Sequence, residues 1–204
     1  MRVLLAGGGT GGHINPALAI ASIIREHDPS AEFLFAGRKE GMEYRLVTQA
    51  GYPFHHIEIT GFQRKLSWKN VKRNVKAAYY LATSQPRARK IVRQFQPDVA
   101  IGTGGYVAGP ILHAAAHLGI PCAIHEQNAF PGVTNKMLSK EVDHVMLTVE
   151  QALQYLHPNC AYTVTGLPVR GGISHPDRAA ARKKLGFDDS MCILSFGGSL
   201  GAGC

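Results

Sequence analysis

The sequence lacks several features that would define other classes of protein. No apolar run approaches the roughly 18 residues needed to cross a membrane. Only four apolar residues follow Arg2 before the first glycines, too few for the core of a signal peptide. The four cysteines are scattered without a C-x-x-C pair, and no close spacing of histidine, aspartate and glutamate resembles a metal site. We therefore expect a cytosolic protein with reduced thiols and no bound metal or cofactor.

Acidic residues are missing from one long stretch. Between Glu58 and Asp98 the sequence holds ten lysines and arginines and no aspartate or glutamate. The net charge of +8 therefore lies on one basic flank, residues 64–93. Apolar residues at helical spacing lie beside these charges, so the flank is either the solvated face of a core helix or a surface for anionic lipid. No recognised nucleic-acid-binding module is present, and we expect no nucleic-acid partner.

Short apolar segments alternate with stretches of helical periodicity along most of the chain. Strands are predicted near 2–6, 32–36, 55–59, 98–101, 121–125, 143–147 and 161–165. Helices are predicted near 15–26, 40–50, 68–82, 86–95, 109–117, 131–139 and 149–155. Strands and helices that alternate at this spacing form βαβ units. We therefore expect an α/β fold with a parallel sheet and helices on both faces.

The alternation changes near Gly166. The predicted elements beyond it are a linker at 166–176, a helix over Asp177–Leu185 with Gly186 as its cap, and a strand over Met191–Phe196. That strand would begin another α/β unit, and a lone strand cannot bury itself. We therefore expect a first domain at 1–166, followed at 167–204 by a linker and the truncated start of a second α/β domain.

Three apolar segments run directly into glycine-rich turns. These turns are Gly7–Gly12, Gly102–Gly105 and Gly197–Ser199. A strand that ends in glycines lets bare N–H groups approach a ligand, and the first turn of a following helix adds a partial positive charge. Each turn is therefore a candidate phosphate site, and three of them indicate a protein that handles diphosphates.

The first turn also fits the G-x-G-x-x-G pattern at Gly7, Gly9 and Gly12, which is typical of dinucleotide-binding proteins. The acidic residue expected at the end of the second strand is missing, and Arg38 stands near that place. Because Arg38 could meet a 2′-phosphate, an NADP-dependent oxidoreductase stays an alternative. A further alternative is that the glycines serve only close packing of helix against strand.

Polar residues follow two of the predicted strands. His13 comes just after the first glycine turn, and His125-Glu126-Gln127-Asn128 follows the apolar run at 120–124. The carboxyl ends of parallel strands share one edge of the sheet, where open α/β folds bind ligands. We therefore expect a ligand contact there, with His13 able to exchange protons near neutral pH. The alternatives are a structural histidine, a helix cap and a buried polar network.

Five motifs in order resemble one family. They are Gly-Gly-Thr-Gly-Gly-His at 8–13, Gly-Thr-Gly-Gly-Tyr-Val-Ala-Gly-Pro at 102–110, His-Glu-Gln-Asn at 125–128, Pro-Val-Arg at 168–170 and Gly-Gly-Ser-Leu-Gly-Ala at 197–202. Together they resemble the MurG-type N-acetylglucosaminyltransferases, which have the two-domain GT-B architecture. The resemblance implies that a Rossmann-like acceptor-side domain comes first. Two departures are Leu167, where the family has asparagine, and the tail Gly203-Cys204.

The resemblance implies an inverting transfer of GlcNAc from UDP-GlcNAc to the C4 hydroxyl of MurNAc in undecaprenyl-diphosphate-linked MurNAc-pentapeptide, without a metal. It implies sugar-nucleotide contacts at Thr10, Gly11, Gly12, Asn128, Arg170 and Ser199. It places Gly104, Gly105 and Tyr106 by the acceptor diphosphate. His13 and Glu126 are the candidates for the base that deprotonates the acceptor hydroxyl, and His13 is preferred.

The resemblance also implies a peripheral position on the cytoplasmic side of the cell membrane, in peptidoglycan synthesis. The basic flank at 64–93 would then contact anionic lipid. Most uridine and sugar contacts would lie beyond residue 204, so we expect this chain alone to be inactive. A non-catalytic lipid-diphosphate-binding or membrane-docking module is therefore a second alternative beside the oxidoreductase.

Overall fold

A computed structural model of the chain describes residues 1–59, 84–169, 177–193 and 195. Its strands are β1 (Arg2–Gly7), β2 (Glu32–Gly37), β3 (Phe54–His56), β4 (Val99–Gly104), β5 (Cys122–Glu126), β6 (His144–Leu147) and β7 (Tyr162–Val164). In the described residues they form one sheet of order β3-β2-β1-β4-β5-β6-β7, and every neighbouring pair is parallel. The predicted parallel α/β sheet is confirmed.

Helices connect these strands. They are α1 (Gly11–His27), α2 (Met42–Gln49), α3 (described at 84–95), α4 (Ala108–His117), α5 (Val133–Leu138), a 3₁₀ helix (Glu150–Tyr155) and α6 (Arg178–Leu185). Gly186 ends α6 in the left-handed conformation, as the sequence predicts, and Asp177 is the N-cap, whose side chain accepts a hydrogen bond from the backbone N–H of Ala180. Among the described helices, none is both long enough and apolar enough to cross a membrane.

The sheet separates two apolar clusters, each covered by its own helices. Successive side chains of a strand point to opposite faces, so Leu5 packs with Ile14 of α1 and Val47 of α2, whereas Leu4 packs with Ile111 of α4. The cluster that contains Leu4 and Ile111 also contains side chains of α3 and α5. Burying one side chain of this size stabilises the fold by about 1.5–3 kcal/mol. Burial on both faces explains why the central strands are almost continuously apolar.

The strand order changes direction between β1 and β4. The chain first builds outward from β1 to β3, then returns to place β4 beside β1 and builds outward to β7. The helices that follow these two central strands, α1 and α4, cover opposite faces of the sheet. In open α/β sheets the carboxyl ends of the strands form a crevice at this point, and ligands bind there.

Four predicted elements differ from the structure. Helix α1 begins at Gly11 and not near residue 15, because the carbonyl of Thr10 accepts from the N–H groups of His13 and Ile14 and closes the first turn before Pro16. Strand β3 has only three residues, and the predicted helix near 149–155 is a 3₁₀ helix. The described residues at 191–193 form no strand, and Met191 is 88% exposed.

Candidate functional site

The two glycine turns that follow β1 and β4 touch each other at the carboxyl edge of the sheet. The backbone N–H of Gly8 donates to the carbonyl of Gly104 at 3.4 Å. Gly105 has a φ of +78°, and a Cβ added to it would lie 2.2 Å from the carbonyl oxygen of Gly8. Only glycine therefore fits at residue 105, and the two turns form one continuous backbone surface.

Two helices begin at this surface. Helix α1 starts at Gly11 with Thr10 as its N-cap, and α4 starts at Ala108 with Val107 as its N-cap. In the described part of the chain, neither cap residue makes a side-chain capping bond, and neither helix has an acidic residue in its first turn. The first N–H groups of both helices therefore lack side-chain caps beside a partial positive charge, which suits an anion such as phosphate.

His13 lies between the two turns, in the first turn of α1. Its Nδ1 is 3.0 Å from the carbonyl oxygen of Thr103 and 3.0 Å from Oε1 of Gln127. Both neighbours are hydrogen-bond acceptors, so Nδ1 carries the proton and Nε2 has the free lone pair. Thr103 also donates its hydroxyl to the backbone carbonyl of His13 at 2.6 Å. The imidazole is thereby held in the tautomer that a general base requires.

Gln127 fixes that tautomer through its own neighbours. Its Nε2 lies 2.9 Å from the carbonyl of Thr103 and 3.0 Å from the carbonyl of His125, so this atom is the amide nitrogen and Oε1 faces His13. Nδ1 of His125 is a further acceptor at 3.0 Å, and Nε2 of His125 donates to the carbonyl of Gly166 at 3.0 Å. Burial lowers the pKa of His125, which favours this neutral form.

Glu126 lies buried beneath the loop at 127–132. Its Oε1 accepts from the backbone N–H of Asn128 at 2.9 Å and from the Asn128 side-chain amide at 3.0 Å. Its Oε2 accepts from the backbone N–H of Gly132 at 3.3 Å and from the side-chain amide of Asn135 at 2.8 Å. Four donors surround this carboxylate, and the exposed Asn128 is thereby fixed at the edge of the sheet.

A second buried glutamate, Glu43 in the first turn of α2, was not singled out from the sequence. Its Oε2 accepts from the N–H of Gly9 at 3.3 Å, and its Oε1 accepts from the N–H of Arg38 at 3.1 Å. Space for its carboxylate depends on glycines, because a Cβ on Gly41 would lie 2.3 Å from Glu43. Glu43 thus joins the first glycine turn to the loop after β2.

Arg38 also reaches the second glycine turn. Its Nη1 donates to the hydroxyl of Tyr106 at 2.9 Å, and the ring of Tyr106 lies against Gly9. The guanidinium therefore adds a positive charge beside both turns. In the sequence, Arg38 stood out by its position after the second strand, where we considered it as a partner for the 2′-phosphate of NADP.

Most of the predicted site residues meet at this edge of the sheet. Those in the described residues are Thr10, Gly11, Gly12, His13, Gly104, Gly105, Tyr106, Glu126 and Asn128. Arg170, Ser199 and the third glycine turn lie outside the described residues, as does the basic flank as far as residue 83. Gln127, Thr103 and Glu43 complete the network that sequence reasoning did not assemble.

The sheet order, the helices on both faces and the glycine turns at one edge are those of a GT-B-type glycosyltransferase domain. The sequence model of the glycosyltransferase family 28 N-terminal domain matches residues 3–147. The chain therefore belongs to glycosyltransferase family 28. This assignment favours the glycosyltransferase hypothesis over the NADP-dependent oxidoreductase.

Named relatives narrow the comparison. The chain is 45% identical to the UDP-N-acetylglucosamine–N-acetylmuramyl-(pentapeptide) pyrophosphoryl-undecaprenol N-acetylglucosamine transferase of Acetivibrio thermocellus, over 99% of this chain and 54% of that protein. It is 46% identical to the transferase of the same name from Caldanaerobacter subterraneus, over 99% of this chain and 55% of that protein. The chain thus spans about half the length of these relatives, and the resemblance to the MurG-type enzymes is confirmed.

Solved structures are also similar to this chain. The crystal structure of Acinetobacter baumannii MurG is similar with a TM-score of 0.67 and 31% identity, over 87% of this chain and 49% of that one. A UDP-GlcNAc 2-epimerase from Neisseria meningitidis, solved with UDP-GlcNAc, has a TM-score of 0.54 and 16% identity over 82% of this chain and 47% of that one. At that identity the epimerase shows a shared fold alone.

Proposed function

We propose that this chain is the acceptor-side part of an inverting N-acetylglucosaminyltransferase of peptidoglycan synthesis. The reaction moves GlcNAc from UDP-GlcNAc to the C4 hydroxyl of MurNAc in undecaprenyl-diphosphate-linked MurNAc-pentapeptide. The observation that carries the proposal is the contact of two glycine turns beside His13, which lies in the first turn of α1 with its Nδ1 held by Thr103 and Gln127. The relatives that bear this activity in their names support the choice of substrates.

His13 is the base in this proposal. Its Nε2 takes the proton of the acceptor hydroxyl while the hydroxyl oxygen attacks the anomeric carbon of GlcNAc, and the bond from that carbon to the UDP oxygen breaks. Attack from the face opposite the leaving group inverts the anomeric configuration. Support comes from Thr103 and Gln127, which hold the proton on Nδ1. Such a base contributes about 10²–10⁴ in rate.

The acceptor diphosphate binds in this proposal at the second glycine turn and at the start of α4. Gly104, Gly105 and Tyr106 contribute there, and the Arg38 guanidinium bonded to Tyr106 adds positive charge. The sugar-nucleotide contacts are those of Thr10, Gly11, Gly12 and Asn128, joined by Arg170 and Ser199. Backbone N–H groups, helix N-termini and arginine together stabilise the diphosphates without a metal.

Glu126 acts in this proposal as a positioning residue and not as the base. Three of its four described bonds are to donors of the loop at 127–132 and the fourth is to Asn135 of α5, and its side chain is buried. A carboxylate so engaged has little access to a sugar hydroxyl. Its function is to hold Asn128 in place for the sugar-nucleotide.

We further propose the domain division at 1–166 and 167–204. Support comes from the burial pattern, since the sheet packs within the first part whereas α6 has no buried residue. The bond from His125 to the carbonyl of Gly166 ties the end of the first domain to its site. Because the chain spans only about half the length of the named relatives, we expect it alone not to turn over.

We propose a peripheral position on the cytoplasmic side of the membrane. Within the basic flank, Arg89, Lys90 and Arg93 of α3 are exposed, whereas Arg87 is paired with Glu58 at 2.7 Å. Helices α3 and α5 cover the same face of the sheet. Each exposed basic residue near an anionic surface contributes about 1 kcal/mol, screened by salt.

Support also comes from an exposed apolar surface on and beside α5. This α5 patch consists of Phe130, Val133, Lys136, Met137 and Lys140. The side chains of Phe130, Val133 and Met137 are 63–67% exposed, and Nζ of Lys136 lies 4.0 Å from the centre of the Phe130 ring. Large apolar side chains among lysines are typical of a surface that binds lipid headgroups and acyl chains.

Co-sedimentation of the chain with vesicles tests the membrane proposal. Binding to anionic vesicles should exceed binding to neutral ones, fall with salt, and decrease when Lys136 and Lys140 are changed to glutamine together. Changing Lys183 and Lys184 of α6 to glutamine removes the same charge elsewhere and should leave binding unchanged. If both double variants lost the same amount of vesicle binding, the α5 patch would contribute only through the net charge of the chain.

The transfer reaction itself is tested in an extended enzyme, in which residues 1–166 are joined to the carboxyl-terminal half of the Acetivibrio thermocellus relative. Radiolabelled UDP-GlcNAc and the lipid-linked acceptor should give a labelled lipid-linked disaccharide, with NADPH having no effect. The 204-residue chain alone should give none. Absence of product from a folded extended enzyme, under conditions where the intact relative is active, would contradict the proposal.

A further inference from the structure

A cluster of metal-ligating side chains lies on the outer side of α4. His113 and His117 are one helical turn apart on this helix, and Glu141 follows α5. One ligand atom from each of the three residues lies within 4.8 Å of the others. Nδ1 of His113 is 2.6 Å from Oε2 of Glu141, and Nδ1 of His117 is 4.0 Å from the same oxygen. The two imidazole centroids are 4.0 Å apart.

These three donors suit a transition metal. Two imidazole nitrogens and one carboxylate oxygen are common zinc ligands, and bond lengths of about 2.0–2.2 Å separate tetrahedral ligand atoms by about 3.3–3.5 Å. The observed separations of 2.6 and 4.0 Å bracket that value. Small side-chain rotations therefore bring the three atoms to tetrahedral positions, because all three side chains are on the surface.

The site is accessible and far from the candidate active site. The side chain of His117 is 49% exposed, and those of His113 and Glu141 are about one-third exposed at 34% and 32%. Helix α4 begins at the second glycine turn and ends at His117. The rise of about 1.5 Å per residue puts the cluster near the opposite end of the helix from the diphosphate site. A metal here would therefore be structural.

Both histidines already have their rings oriented. Nδ1 of His113 donates to Glu141, and Nδ1 of His117 donates to the backbone carbonyl of His113 at 2.9 Å. When a metal takes the place of these protons, each neutral ring moves its proton to Nε2. The metal then links α4 directly to the segment after α5.

We propose that His113, His117 and Glu141 bind one Zn²⁺ ion, with water as the fourth ligand, and that this ion stabilises the packing of α4 against the segment after α5. The function of the ion is independent of the transfer reaction. Its stabilisation follows from mass action, since Zn²⁺ that binds the folded chain shifts the unfolding equilibrium.

The test uses the untagged 204-residue chain, first treated with EDTA and dialysed. Competition against a chromogenic zinc chelator should give one Zn²⁺ per chain, and zinc at 100 times its Kd should raise Tm by about 5–10 °C. At the same zinc concentration, His117→Ala and Glu141→Gln should each weaken zinc binding at least tenfold and cut the rise in Tm to about half or less. His27→Ala, an exposed histidine on α1, should change neither.

Two results would overturn the proposal. One is the absence of any zinc-dependent change in Tm together with no stoichiometric binding. The other is zinc binding that stays unchanged in both variants, which would place the ion at other ligands such as the exposed Cys192. If His117→Ala fails to fold, Glu141→Gln decides alone, because a surface carboxylate-to-amide change leaves the helix intact.

Discussion

The buried carboxylate of Glu126 gives the most distinctive prediction, because a positioning residue and a catalytic base respond differently to Glu126→Gln. The substitution keeps the shape of the side chain but replaces one acceptor oxygen by an N–H₂ donor. Whichever oxygen is replaced, two donors lose their acceptor. The pair is either the backbone and side-chain N–H groups of Asn128 or those of Gly132 and Asn135.

The expected loss of stability depends on which pair of donors is left without an acceptor. A buried donor without a partner costs about 1–3 kcal/mol. Asn128 is exposed, so the new amide turns its N–H₂ group toward Asn128, whose two donors can bind water instead. The cost for each of these donors is therefore at the lower end of that range. We therefore expect a loss of about 2–3 kcal/mol. For a chain of this size each kcal/mol lowers Tm by about 2–4 °C, which gives a drop of about 4–12 °C.

Thermal unfolding of the 204-residue chain, followed by circular dichroism, measures this drop. Glu150→Gln changes an exposed glutamate in the same way and should shift Tm by less than about 2 °C. The reasoning would be refuted by a Glu126→Gln chain with unchanged Tm whose kcat, in the extended enzyme, falls by more than a hundredfold. That pattern would make Glu126 a reacting group.

Three further predictions concern the same sheet. Gly105→Ala should lower both Tm and activity in the extended enzyme, because its Cβ would lie 2.2 Å from the carbonyl of Gly8 and its φ of +78° disfavours alanine; an unchanged Tm would contradict this. Because burial lowers the pKa of His125, this histidine binds a proton at a higher pH in the unfolded chain than in the folded one, and stability should fall as pH drops below about 6.5. Urea unfolding at several pH values should show a smaller fall in His125→Gln. Burial raises the pKa of the Cys122 thiol to about 12, so alkylation of the native chain followed by mass spectrometry should modify the exposed Cys192 well before Cys122.

Local patterns were sufficient to predict the strands that flank the site. The apolar run before the first glycines predicts a strand at 2–6, and β1 lies at Arg2–Gly7, because a short apolar segment closed by glycines forms a buried strand in an α/β chain. The pairing of Val3 with Val99 has no local signal. It depends on contacts between distant parts of the chain, so the sheet order was beyond the sequence pattern.

The strand predicted at Met191–Phe196 illustrates the same limit. Its apolar pattern is that of a strand, yet Met191 and Ile193 are 88% and 85% exposed in the structure and residues 191–193 have no strand pairing. A strand needs a neighbour to satisfy its backbone N–H and carbonyl groups. The described residues offer this segment none.

The site was predicted in its outline and not in its network. Glycine turns and His13 have local signals, because strand ends and helix starts place them at one edge. Glu43 does not, because an acidic residue in the first turn of a helix is ordinarily an exposed cap. Its burial depends on glycines from two other parts of the fold, Gly8 and Gly37, which leave room for its side chain.

The central claim is that His13, held by Thr103 and Gln127, removes the proton of the acceptor hydroxyl. Steady-state kinetics of His13→Ala in the extended enzyme, with kcat and KM determined separately for both substrates, tests it most directly. The account predicts a fall in kcat of about 10²–10⁴ with KM changed by less than about threefold, whereas His27→Ala on the same helix has no effect. A His13→Ala enzyme with the kcat of the unmodified enzyme would contradict it.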